Sequence, residues 1–176
     1  MNTETISLQA IDQGESPPEA ERRRFDALVR RYSRDLYRFA YWLSHDHALV
    51  EDLVQETLLR AWRGFHRLRA DSAAKYWLFT ILRREHARHY ATRRPHDSLE
   101  SVGNPAHPDR GYDTSTEAFV LRRALAALPA EYREPLVLQV LFGLNLKEIA
   151  EVVGISSAGV ATRVFRARKK LREVLD

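Results

Sequence analysis

The chain has 176 residues, enough for one substantial core or two small ones, and a formal net charge of only +4. It contains no cysteine, which excludes a disulfide framework and a cysteine-ligated zinc site. The amino terminus lacks the basic start and apolar run of a signal peptide, and no stretch approaches the roughly 20 apolar residues that span a bilayer. A soluble, cytoplasmic, all-α protein that inserts no segment into a membrane is expected.

Residues 1–18 are polar and unpatterned and read as a mobile tail, ending in Pro17-Pro18 before the acid Glu19, a helix start. Phe25, Leu28, Val29, Tyr32, Leu36, Phe39, Ala40 and Leu43 then recur with helical spacing. His45-Asp46-His47 interrupts this helix, and Asp46 is placed to cap the next. That second helix, about Ala48 to Phe65, buries Leu49, Val50, Leu53, Val54, Leu58, Ala61 and Trp62. The same periodicity gathers Asp52, Gln55, Glu56 and Leu59 on another face. Such a patch is either solvated or a dock for a partner with basic residues.

From Arg60 the charge changes sign. Ten cations between Arg60 and Arg94 face only two acids, Asp71 and Glu85. Asp71 is expected to cap a third helix, about Ser72 to Ala91, whose Trp77, Leu78, Ile81 and Leu82 read as core. Tyr76, Phe79, His86, His89 and Tyr90 lie among the arginines. Basic and aromatic side chains together suit phosphates and unpaired bases, although each ring taken singly reads better as core. Residues 93–115 hold three prolines, two glycines and no apolar period, and form an expected flexible acidic linker. The predicted organisation is therefore two small helical domains on a tether, 19–92 and 116–176.

The second domain opens with Phe119, Val120, Leu121, Leu125 and Leu128. A fresh helix follows from Pro129, and Gly143 ends it. Leu146–Leu171 reads as two helices about a tight turn. Asn145 with Glu148 forms a capping-box pattern, Gly154 supplies the turn, and Ser156 caps the last helix. Val160, Val164, Ala167 and Leu171 form its buried stripe. Arg163, Arg166, Arg168, Lys169, Lys170 and Arg172 are left facing water or phosphate. This is a helix-turn-helix whose basic second helix suits a DNA major groove.

Four segments in order, FDALVRRYSRDLYRFA, EDLVQETLLRAWRGF, KYWLFTILRREHARHYATRR and LPAEYREPLVLQVLFGLNLKEIAEVVGISSAGVATRVFRARKKLRE, resemble the extracytoplasmic-function (ECF) sigma factors. These are promoter-specificity subunits of bacterial RNA polymerase. The resemblance implies that 19–92 is sigma region 2 and 116–176 sigma region 4, and that the protein is not an enzyme. It further implies that Asp52, Gln55, Glu56 and Leu59 bind core polymerase. Phe65, Arg67, Arg69, Lys75, Tyr76, Arg83, Arg84 and Arg88 would engage the minus-ten promoter element during strand opening. Ser157, Ala158, Gly159, Ala161, Thr162, Arg163 and Arg166 would read the minus-thirty-five element, with Arg168 and Lys169 on phosphates. The linker would thread the polymerase toward the RNA exit path.

One departure stands out. Family members commonly carry a threonine and a lysine around the recognition-helix valine, as in GTVKSR, where this chain has Ala158-Gly159-Val160-Ala161-Thr162-Arg163. No further regulatory domain is expected after Leu175, so the resemblance implies external control by an anti-sigma factor, phosphorylation or transcription. Two rivals are a dimeric helix-turn-helix regulator acting without polymerase, and a metal enzyme using Glu85, His86 and His89. The first leaves the front half unexplained. The second has the wrong ligand order, and no metal or cofactor is expected.

Overall fold

The computed structural model describes residues 19–92 and 116–175, and every regular element in them is helical. The expected tail, linker and final residue lie outside the described residues. The first module consists of α1 (Glu19–Ser44), α2 (His47–Gly64), two short 3-10 turns (Phe65–Arg67 and Asp71–Ala73) and α3 (Ala74–Thr92). α1 packs on both α2 and α3, and α2 packs on α3. His45, in the left-handed region at φ 53°, makes the corner between α1 and α2. Asp46 then caps α2 by accepting from the Ala48 and Leu49 amides.

Asp71 does something other than cap α3. Its carboxylate takes Arg24 Nε at 2.7 Å, while the Arg24 guanidinium sits 5.0 Å from the Phe65 ring centroid and also donates to the Leu68 carbonyl. The 65–73 connection is thus tied to α1 from below. Its apolar residues Phe65 and Leu68 are buried in a small cluster with Leu28 and Ala74.

The second module consists of α4 (Thr116–Ala127), α5 (Ala130–Val140), α6 (Leu146–Val153) and α7 (Ser157–Leu175). α7 packs on the other three through Val160, Val164, Ala167 and Leu171. The turn chemistry follows the sequence closely. Asn145 and Glu148 form both halves of a capping box. Gly154 is left-handed at φ 76°, and the Gly159 amide donates to Ser156 Oγ at 3.1 Å.

What local patterning could not disclose is that the two modules share a face. α3 packs on α6, and one apolar core runs through both modules. Phe142, just after α5, is buried between Phe39 and Phe79, with ring centroids 5.6 Å and 5.0 Å away. Arg83 of α3 pairs with Glu134 of α5 at 2.5 Å.

Candidate polymerase-docking and nucleic-acid surfaces

On α2 the apolar and polar faces separate cleanly. Leu49, Val50, Leu53, Val54 and Ala61 are buried, and so is Thr57, whose hydroxyl donates to the Leu53 carbonyl at 2.6 Å. Asp52, Gln55, Glu56 and Leu59 are all exposed. Leu59, at 51% exposure, is an uncovered leucine within an acid and amide surface. The helix therefore presents two carboxylates, an amide and one half-exposed leucine on its outer face.

The residues nominated for the minus-ten element divide into four sets. Phe65 has no free face: it is 1% exposed beneath the connection, against Phe25 and Trp62. Its geometry makes it a foundation for the 65–73 segment rather than a stacking platform. Arg67, Arg69 and Arg84 are exposed. Lys75, Arg83 and Arg88 are held by acids. Lys75 Nζ is 2.7 Å from Asp35, Arg83 pairs with Glu134, and Arg88 is 3.3 Å from Glu85. Glu85 is a buried carboxylate that also meets Arg60 Nε at 2.6 Å, an ion pair rather than a well-aligned hydrogen bond. Tyr76 is half-buried against the core.

His86, beside this ladder, lines a cleft of about 190 Å³ between the modules with Trp42, Leu43, Arg133 and Glu134. Burial first, then the charges of His89 and Arg83, pull its pKa down to about 4, against an opposing backbone hydrogen bond. It is neutral at pH 7. Among the described residues no group of three or more His, Cys, Asp or Glu is placed to hold a metal ion. No helix among them is long and apolar enough to cross a membrane.

On α7, Ala158, Ala161, Thr162, Arg166, Arg168 and Lys169 are exposed, while Ser157, Gly159 and Arg163 are partly covered. Arg168 donates to Gln139 of α5 at 2.8 Å, which steers it to one flank of the helix. A Cβ added at Gly159 would stand 3.3 Å from Ser156 Oγ, so glycine leaves the cap hydroxyl its room. Sequence reasoning missed Phe165. Its ring is 68% exposed in the middle of the basic helix, and its place off the buried stripe was the available signal.

Comparison with known proteins settles what these surfaces belong to. The sigma-70 region 2 family model matches residues 28–95, and the sigma-70 region 4 model matches 118–171. The ECF RNA polymerase sigma factor SigM of Bacillus subtilis is 32% identical over 158 residues, covering 86% of this chain and 94% of that protein. The chain belongs to the ECF sigma factors. A second relative, the ECF sigma factor SigM of Mycobacterium tuberculosis, is 33% identical over 163 residues, covering 88% of this chain and 79% of its own length.

Among solved structures, the ECF-like fold matches the sigma factor RpoE of Bartonella quintana in complex with the anti-sigma factor NepR. The TM-score is 0.73 at 31% identity, over 86% of this chain and 96% of that one. It also matches CnrH in complex with the cytosolic domain of CnrY, with a TM-score of 0.64 at 28% identity, over 88% and 89% of the two chains.

Proposed function

We propose that this ECF sigma factor docks on core RNA polymerase through the α2 face of Asp52, Gln55, Glu56 and Leu59, and holds promoter DNA with the cationic surfaces of α3 and α7. The observation that carries this reading is the segregation on α2: two acids, an amide and a leucine are exposed together opposite its buried face. Leu59 gives a partner an apolar contact at the middle of this face, and the flanking carboxylates select a basic one.

Promoter binding then divides by chemistry. Arg67, Arg69 and Arg84 offer phosphates immediate contacts, since each is exposed. Lys75, Arg83 and Arg88 enter when DNA displaces Asp35, Glu134 and Glu85. On the second module, Arg163 and Arg166 lie nearest the helix start that enters a groove, and Arg168 and Lys169 take backbone phosphates. The protein supplies binding energy and strand placement, while the polymerase performs the chemistry. An anti-sigma protein is the fitting regulatory partner, as the similar sigma factor of Bartonella quintana was captured with one.

Transcription by core polymerase with the full chain added, with 5′ ends sequenced, tests this reading. Defined start sites that vanish when Asp52, Gln55 and Glu56 are changed together to alanine are expected. Start sites that persist with the folded triple variant would refute the α2 docking assignment. DNA binding with no response to core polymerase would favour the dimeric regulator.

A further inference from the structure

At 100° per residue, the side of α7 directly opposite the buried stripe carries Ala158, Thr162, Phe165 and Lys169. Three of these four are apolar in effect. Ala158 offers a methyl group, and Phe165 an uncovered ring. Thr162 donates its hydroxyl to the Ala158 carbonyl at 3.0 Å, which leaves its methyl as the outward group. Arginines flank this stripe, with Arg163 and Arg166 on one side and Arg168, turned toward Gln139, on the other.

Along the centre of this face no charged side chain precedes Lys169, so hydrogen bonds to base edges come mainly from its flanks, Arg163 and Arg166. What the centre can meet in a major groove is the one apolar group that DNA displays there, the 5-methyl of thymine. The positive flanks point to a polyanionic occupant rather than a protein groove.

We propose that this recognition helix reads its upstream element through thymine methyl groups, with Phe165 as the principal specificity-determining residue and the methyls of Ala158 and Thr162 beside it. The inference rests on the reading of α7 as the upstream-element helix. The departure at 158–163 leaves Gly159 and Ala161, where the family commonly has threonine and lysine, without polar side chains on either side of this stripe.

The test uses holoenzyme, the full chain bound to core polymerase. Upstream duplexes are selected from a library randomised at that element, then resynthesised with deoxyuridine for thymidine, which deletes the methyl and keeps every hydrogen-bonding edge. Thymine is expected at selected positions, and each contacted methyl removed is expected to weaken binding about three- to fourfold. In Phe165→Ala, whose side chain supports no core contact, the thymidine-to-deoxyuridine ratio at one position should fall to near one.

Equal binding of the two duplexes by wild-type holoenzyme would overturn the inference. So would a Phe165→Ala variant that forms less holoenzyme but keeps the full methyl discrimination, since the ring would then be a protein contact. Promoter-specific transcription with no sequence enriched upstream would overturn it while leaving the sigma-factor reading intact. Failure to form holoenzyme at all would remove both.

Discussion

His86 shows how a single side chain records the meeting of the modules. It lines the cleft under Glu134 and Arg133, with Arg83, His89 and His45 as its titratable or charged neighbours, and its Nε2 finds no hydrogen-bond partner among the described residues. Burial lowers its pKa from 6.5 to about 4, so the unfolded chain takes up a proton that the folded chain refuses. Its stabilising contribution is complete above pH 6.5 and shrinks as pH falls toward 4. Denaturant titrations between pH 7 and 4 should show stability falling, and His86→Gln should flatten that fall. A second expectation concerns Asn145, whose side chain accepts from the Lys147 and Glu148 amides at 2.9 and 3.1 Å. Asn145→Ala should cost about 1 kcal/mol in thermal or chemical unfolding. Gly154→Ala should also destabilise, because φ 76° disfavours any Cβ.

Among elements, α7 separates cations by the work they already do. Arg166 is exposed, whereas Arg168 is engaged by Gln139. For binding of an upstream duplex by holoenzyme, plotted against the logarithm of salt concentration, Arg166→Ala should reduce the slope by about one. Arg168→Ala should reduce it by a similar amount, Gln139 yielding its partner to phosphate. The elements most legible in sequence are those whose determinants lie within four residues of one another. The capping box at Asn145, the left-handed Gly154 and the Val160–Leu171 stripe are of this kind, and so is the polar face of α2.

Determinants far apart in the chain stayed hidden. Asp71 read as a cap because nothing local announced Arg24, 47 positions away. Phe65 is nominated for the minus-ten element by resemblance alone, and its burial depends on Phe25, Leu28 and Leu68 in other segments. Arg83 looked free for DNA because Glu134 is 51 positions distant. Basic composition near a motif predicts the sign of a surface. Which cations are available on that surface is a tertiary property.

For the whole molecule, the consequential fact is that the face shared by the modules includes residues nominated for DNA. Phe142 is held between Phe39 and Phe79, with the Arg38 guanidinium 5.4 Å and Lys75 Nζ 5.9 Å from its ring centroid. Nearby, Glu134 neutralises Arg83. On the proposed assignment, promoter DNA would compete with the second module for Arg83. Phe142→Ala removes the ring that closes the face, and a buried Phe→Ala change typically costs about 3–5 kcal/mol when the site cannot collapse. The expected outcome here is that the modules part instead. Fluorophores on the exposed sides of α1 and α7 should report a longer separation in Phe142→Ala, with helical content retained. Glu134→Gln addresses charge alone, and should raise the full chain's affinity for single-stranded minus-ten DNA several-fold by releasing Arg83, on the scale of a charge-assisted hydrogen bond. If Phe142→Ala lengthens the separation while Glu134→Gln leaves DNA affinity unchanged, the modules open but Arg83 is not a promoter contact. If both variants bind DNA as wild type does, α3 meets the promoter through Arg84 and the 65–73 connection, on surfaces the closed arrangement already exposes.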